Sequence, residues 1–168
     1  MHRFACMRGD QMKLYMLPVA QGELAISALP GATGDYATDL ADIVHWKPDL
    51  VISLTQISEM QATGAVDLGK DLKRQDISWR LAAIPDFGTP ALDFMSDWHA
   101  LSERACASLG HNGRVLVHCR GGCGRSGMIA LRLMVLSGED PQKALKRLRA
   151  VRSCAIETAA QMKWAFDD

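Results

Sequence analysis

The chain has 168 residues, 48% of them hydrophobic, and its 19 basic and 19 acidic residues give a formal net charge of zero. This length and composition predict one domain over residues 1–168 with a complete apolar core, and about ten N-terminal residues are expected to be disordered. The balanced charge argues against nucleic-acid or membrane-surface binding, and the apolar runs are far shorter than the roughly 20 residues that span a bilayer. Any bound anion must therefore be held by a local site.

The N-terminal sequence has no apolar segment ahead of a small-residue cleavage site, so we expect no signal peptide. The cysteines are odd in number and show no framework spacing; they are Cys6, Cys106, Cys119, Cys123 and Cys154. This pattern predicts a cytoplasmic protein, because a reducing compartment keeps such thiols free.

Short apolar runs alternate with segments of helical periodicity along the chain. Strands are predicted at Met12–Leu17, Leu24–Ala28, Leu50–Leu54, Trp79–Ile84 and within Arg114–His118. Helices are predicted at Asp39–Trp46, Ala65–Arg74, Pro90–Leu109, Gly127–Leu136, Pro141–Arg152 and Glu157–Phe166. This alternation predicts an α/β domain in which helices cover both faces of a central sheet.

The helix Pro90–Leu109 is expected to begin with Thr89 as its N-cap and proline at its first position. Apolar residues at helical spacing predict one core-facing side, formed by Leu92, Met95, Trp98, Leu101 and Ala105.

A cysteine directly follows the strand within Arg114–His118, and a glycine-rich segment then leads into a helix. Ligands of open α/β sheets bind at the carboxyl ends of strands, and a loop at this position directs its backbone N–H groups and the helix N-terminus at one point. We therefore expect residues 119–125 to bind a phosphate dianion. The predicted phosphate-binding residues are Arg120, Gly121, Gly122, Cys123, Gly124 and Arg125.

Four side chains of this junction fit a nucleophilic site. The loop amides and the helix N-terminus stabilise Cys119 as a thiolate nucleophile. Arg125 supplies a planar fork that matches two phosphate oxygens. The Ser126 hydroxyl can donate to the cysteine sulfur and ease its departure, and His118 can orient the loop and favour the thiolate.

The sequence from His118-Cys119 to Arg125-Ser126, with five residues between cysteine and arginine, resembles the signature of the protein tyrosine phosphatase superfamily, especially its dual-specificity branch. Residues 85–90 (PDFGTP) resemble the family's mobile general-acid loop, and residues 152–158 resemble its glutamine-bearing segment. The similarity runs from about Ile84 to Phe166. It implies a cysteine-phosphatase-like fold, with a mostly parallel sheet of about five strands.

The resemblance also assigns roles. It implies that Asp86 is the general acid, which protonates the leaving oxygen and then activates the water that cleaves a phosphocysteine. The family usually has a glutamine directly before the threonine at Thr158, and this chain has Glu157 there. Either Gln161 positions the water instead, or the second step relies on Asp86 alone.

These features predict a hydrolase of phosphorylated protein side chains that needs no metal or other cofactor. The expected partner is a phosphorylated protein or peptide, without nucleic acid or membrane, and the chain is expected to be monomeric. Lipid or RNA 5′-end phosphatases, and a phosphate-binding module without turnover, remain alternatives. Sulfurtransferases and arsenate reductases also use a cysteine in an anion-binding loop, but the acid loop at Asp86 favours a phosphatase.

Overall fold

The structure, a computed structural model, describes residues 12–167. The prediction for the first ten residues therefore lies outside the described part. Five strands form one sheet in the order β1-β2-β5-β3-β4. They are β1 (Tyr15–Val19), β2 (Gly22–Ser27), β3 (Leu50–Ser53), β4 (Ser78–Leu81) and β5 (Arg114–His118). Only the β1–β2 pair is antiparallel, so the predicted mostly parallel sheet is confirmed.

Seven helices lie within the described residues. They are α1 (Tyr36–Trp46), α2 (Ile57–Thr63), α3 (Leu68–Arg74), α4 (Leu92–Gly110), α5 (Gly124–Leu136), α6 (Pro141–Val151) and α7 (Ala159–Phe166). None of these helices is long and apolar enough to cross a membrane.

The central strands bury both of their faces. In β5, Val115 and Val117 pack in one core cluster with residues of α4 to α7, whereas Leu116 packs in a second cluster with residues of α1 to α3. This two-sided burial explains why the central strands are continuous apolar runs rather than alternating patterns. The predicted α/β fold with helices on both faces is confirmed.

Two local features differ from the prediction. Helix α2 was not predicted; it ends where Gly64 adopts a left-handed conformation (φ 76°), and the helix predicted over Ala65–Arg74 is present as α3, which begins at Leu68. Helix α4 begins at Leu92 rather than Pro90, with Ala91 as N-cap, so Thr89 does not cap it.

The predicted core face of α4 is only partly buried. Trp98 and Ala105 lie in the core, but Leu92 is 93% exposed and Met95 is 44% exposed. The loop before α4 continues to residue 91, so Leu92 and Met95 lie at the solvent-exposed start of the helix.

Candidate active site

The loop from Cys119 to Arg125, here called the phosphate loop, joins the end of β5 to the start of α5. Cys119 is buried, and Gly122 has a left-handed conformation (φ 70°). A Cβ atom at Gly122 would lie 2.7–2.9 Å from backbone atoms of Ser27 and Ala28. The loop therefore turns against the end of β2, and glycine is required at that point.

All the predicted phosphate-binding residues lie on this loop, and Ser126 follows it in the first turn of α5. The Cys119 Sγ and Ser126 Oγ atoms are 3.3 Å apart and both side chains are buried. A hydroxyl at this distance can donate a hydrogen bond to a negatively charged sulfur.

His118 is fully buried behind the phosphate loop. Its Nε2 atom bonds with the Ser53 hydroxyl, and its Nδ1 atom is 3.4 Å from the Cys119 carbonyl oxygen. Burial lowers the pKa of His118 to about 4, so the imidazole is neutral at pH 7. His118 therefore lies where it can orient the loop by hydrogen bonding, but it carries no positive charge toward the thiolate.

Arg125 is 2% exposed and is held by a carboxylate that the sequence did not reveal. Its Nη1 and Nη2 atoms donate to the two carboxylate oxygens of Glu59 in α2, at 2.8 and 2.7 Å. Nη1 also donates to the carbonyl oxygen of Ile84 at 3.0 Å. The hydrogen bonds from Arg125 hold the pKa of Glu59 below its usual range, so this carboxylate stays charged and fixes the guanidinium plane.

The loop of residues 85–90, here called the acid loop, brings Asp86 to the same guanidinium. Asp86 Oδ1 lies 3.2 Å from Arg125 Nη2 and accepts a hydrogen bond from the Phe87 amide at 3.0 Å. Its side chain is 51% exposed. The nucleophile, the arginine and the predicted acid thus converge, although Asp86 lies 33 residues before Cys119 in the sequence.

Comparison with known proteins agrees with this geometry. The family model described as "Protein-tyrosine phosphatase" matches residues 31–167. This chain belongs to the protein-tyrosine phosphatase family. The predicted family is thereby confirmed.

Three proteins that are similar to this chain, two by sequence and one by structure, agree with the family. "Cyclin-dependent kinase inhibitor 3" of Mus musculus is 45% identical over 86 residues, which cover 50% of this chain and 39% of that protein. Its Rattus norvegicus counterpart is 42% identical over 87 residues, covering 50% and 40%. The chain thus spans about two fifths of the length of these relatives. A crystal structure of kinase associated phosphatase, with its catalytic cysteine replaced by serine, covers 93% of both chains with a TM-score of 0.81 at 21% identity, which shows a shared fold.

Gln161, the predicted water-positioning residue, is fully buried at the start of α7. Its Oε1 atom accepts hydrogen bonds from the amides of Glu157 and Thr158, at 3.0 and 3.3 Å. Its Nε2 atom donates to the Gly88 carbonyl oxygen of the acid loop at 3.1 Å. The carboxamide therefore links α7 to the acid loop, and water positioning by Gln161 stays a prediction.

The segment of residues 152–157, here called the strap, lies against the outside of the phosphate loop. Arg152 donates to the carbonyl oxygens of Gly121 and Gly122, at 3.0 and 2.9 Å. A disulfide joins Cys123 to Cys154. The prediction that all cysteine thiols are free is therefore wrong for this pair, because the fold brings together two cysteines that are 31 residues apart.

No group of three or more His, Cys, Asp or Glu side chains within residues 12–167 is arranged to hold a metal ion. Arg125, at the end of the phosphate loop, is paired with the carboxylates of Glu59 and Asp86, and Arg152 lies on the strap side of the loop. The arrangement can bind an oxyanion, present a sulfur nucleophile to it and supply a proton from a carboxyl group.

Proposed function

We propose that this chain is a cysteine-dependent phosphatase of phosphorylated protein side chains, tyrosine or serine and threonine, that works through a phosphocysteine on Cys119. The observation that carries the proposal is the convergence of a buried cysteine, a carboxylate-clamped arginine and an exposed carboxyl group at one loop. The name of the fold relative, kinase associated phosphatase, supports a protein substrate.

In the first step, loop amides and Arg125 bind the phosphoryl oxygens, and the Cys119 thiolate attacks phosphorus in line with the leaving oxygen. The P–O bond breaks as the S–P bond forms, and protonated Asp86 gives its proton to the leaving oxygen. Arg125 Nε has no hydrogen-bond partner within the described structure and can donate to the transferring group. The charge of the transition state is thus stabilised by amides and a guanidinium, which need no metal.

In the second step, Asp86 as a carboxylate takes a proton from water, and the water oxygen attacks phosphorus. The S–P bond breaks, inorganic phosphate forms, and Cys119 leaves as a thiolate. Ser126, whose hydroxyl oxygen is 3.3 Å from the sulfur, stabilises that negative charge. Asp86 is then protonated again, so the cycle closes.

Replacing Cys119 with serine tests the proposal. Cys119→Ser should abolish turnover of an aryl phosphate and keep measurable vanadate binding, because a serine hydroxyl has the right shape but is scarcely ionised at neutral pH. We expect vanadate to inhibit the wild-type protein and EDTA to leave it active. Turnover by Cys119→Ser near the wild-type rate, or loss of wild-type activity on chelation, would contradict the mechanism.

The substrate class is tested with the same pair of proteins. We expect wild type to hydrolyse phosphopeptides faster than a phosphoinositide or an RNA 5′-phosphate, and Cys119→Ser to hydrolyse none of them. The balanced charge supports a substrate without extended polyanionic character. Faster hydrolysis of the phosphoinositide or of the RNA 5′-phosphate would contradict a protein substrate and identify that compound as the substrate class.

We further propose that the chain acts as a monomer in the cytoplasm. Cys106 and the nucleophile Cys119 are free thiols, which a reducing compartment keeps available. Gel filtration with light scattering and fractionation of cells that express a tagged chain test the two statements.

A further inference from the structure

The proposed mechanism uses neither Cys123 nor Cys154, yet both lie at the phosphate loop. Cys123 is a loop residue and the N-cap of α5, and Cys154 lies in the strap. Their Cα atoms are 5.2 Å apart and the two sulfurs are bonded. Both residues are partly exposed, so a small thiol in solution can reach the bond.

The strap orients the peptide groups of the phosphate loop. Arg152 holds the Gly121 and Gly122 carbonyl oxygens, and the Ile156 amide donates to the Cys123 carbonyl oxygen at 3.2 Å. In a trans peptide, the carbonyl oxygen and the following N–H point in opposite directions. Three carbonyl groups held outward therefore direct the next three amides away from the strap, toward the anion.

We propose that the Cys123–Cys154 disulfide is a thiol–disulfide exchange site, through which a dithiol reductant weakens anion binding by the phosphate loop. This inference rests on one part of the proposed function, namely that the phosphate loop binds phosphate. With the disulfide closed, Cys123 cannot move away from the strap. With it open, only hydrogen bonds hold the strap to residues 121–123, and the loop amides lose part of their fixed orientation.

The exchange proceeds in two balanced substitutions. A thiolate of the dithiol attacks one sulfur, which forms a mixed disulfide and releases the other cysteine as a thiolate. The second thiol of the reductant then attacks the mixed disulfide, the reductant leaves as a cyclic disulfide, and its two protons end on the two cysteines. Two electrons pass from the reductant to the protein.

Arg152 sets the direction of this attack. Its Nη2 atom lies 3.3 Å from Cys123 Sγ, so a cation faces the charge that develops when Cys123 is released. Cys154 is then the sulfur that is attacked, and Cys123 is the leaving thiolate.

The test measures inorganic phosphate binding in a Cys119→Ser background, which removes the nucleophile as a redox group. Titration calorimetry compares the oxidised protein with the same protein after dithiothreitol, and thiol titration verifies that two thiols have been released. We expect phosphate to bind at least roughly fivefold more weakly after reduction, a modest coupling between two sites. The additional Cys154→Ser substitution should give the weak affinity of the reduced protein with or without dithiothreitol.

Cys106→Ser in the same background is the matched control. Cys106 is a free cysteine whose sulfur faces Leu133 and Ser137, away from the phosphate loop. This variant should keep the full response to dithiothreitol. If Cys154→Ser does not fold, as judged by circular dichroism, Cys154→Ala replaces it, and the comparison of the two redox states of the Cys119→Ser protein stands by itself.

Equal phosphate affinity in the two redox states, or a response to dithiothreitol that persists without Cys154, would overturn the proposal. Turnover of an aryl phosphate by wild type, measured in parallel, separates this failure from that of the proposed function. If wild type turns over the aryl phosphate but the phosphate affinity does not change with dithiothreitol, only the proposed exchange site is contradicted. If the phosphate affinity changes with dithiothreitol but neither redox state of wild type turns over the aryl phosphate, the proposed phosphatase activity is contradicted and the exchange site is supported.

Discussion

The phosphate loop and the acid loop provide adjacent parts of one site, yet they are held in different ways. The phosphate loop lies between a central strand and a buried helix, receives a hydrogen bond from the Leu29 amide, and is tied to the strap by a disulfide. The acid loop exposes Pro85, Asp86 and Phe87, the last at 62%. Among the described residues, its side-chain links to the rest of the site are the bond from Gln161 and the ion pair of Asp86 with Arg125.

This difference follows from what each loop must do. Donors that stabilise developing charge are effective when they are fixed before the reaction begins, so the phosphate loop is braced by hydrogen bonds and a disulfide. A proton donor beside a pocket must let the substrate enter and then close over it, and mobile segments have few buried contacts. Substitutions in the phosphate loop should therefore affect every substrate, whereas those in the acid loop should depend on the leaving group.

The largest effect is expected at Arg125. Arg125→Lys should lower kcat/KM for an aryl phosphate by roughly 10⁴-fold or more, close to the loss in Arg125→Ala. Lysine cannot form two parallel hydrogen bonds with the phosphoryl group or with Glu59, and each donor lost from a transition state costs roughly 10²–10³-fold. Steady-state kinetics measure the loss. Arg74→Lys, at an exposed arginine paired with Asp71, is the matched control and should be fully active. If Arg125→Lys keeps most of the activity, Arg125 acts only as a point charge.

The next largest effect is expected in the acid loop. Asp86→Asn should lower turnover by roughly 10²–10⁴-fold on phosphotyrosine and phosphoserine peptides, the usual contribution of general acid–base catalysis. The loss should be much smaller on esters of the most acidic phenols, which leave without a proton. The basic limb of the bell-shaped pH–rate profile should also vanish, because it reflects loss of the proton from Asp86.

Asp93→Asn is the control for the acid loop, since Asp93 lies on the exposed first turn of α4. It should behave as wild type on all leaving groups. An equal loss in Asp86→Asn on every substrate, or an unchanged basic limb, would contradict the assignment and direct attention to Asp93 or Asp97.

The sequence predicted the parts of the site that are contiguous in the chain. Cys119, Arg125 and Ser126 lie within one strand–loop–helix unit, whose local geometry follows from glycine content and spacing. The clamp from Glu59 was not predicted, because its partner is 66 residues away and only the tertiary fold brings them together. The Cys123–Cys154 disulfide was missed for the same reason, since neither cysteine belongs to a spacing pattern. The two-sided burial of the sheet was predictable because its apolar runs are uninterrupted.

A smaller effect is expected at His118, which is buried behind the phosphate loop, and it concerns the pH dependence of the free energy of unfolding. The folded protein keeps His118 neutral down to a pKa of about 4, whereas an unfolded histidine titrates near 6.5. Below pH 6.5 the unfolded state therefore binds more protons, and the free energy of unfolding falls as the pH drops toward 4, by up to about 3 kcal/mol. Urea unfolding over this range should show a shallower pH dependence in His118→Gln than in wild type. Equal slopes would show that folding does not lower the pKa of His118.

The smallest effect, expected at Gln161, decides between two roles for its carboxamide. Gln161→Met keeps the side-chain volume but removes the hydrogen bond to the Gly88 carbonyl oxygen and those from the amides of Glu157 and Thr158. Because the tether to the acid loop is lost, we expect Asp86 to be less well placed and phosphocysteine formation to slow about tenfold, the effect of a modest misplacement. Rapid-quench experiments with an aryl phosphate would then show no accumulation of phosphocysteine, since the first step limits turnover. If Gln161 instead positions the hydrolytic water, the second step slows alone, and a burst of phenol with a trapped phosphocysteine appears. Gln75→Met, at an exposed glutamine that follows α3, should change neither step.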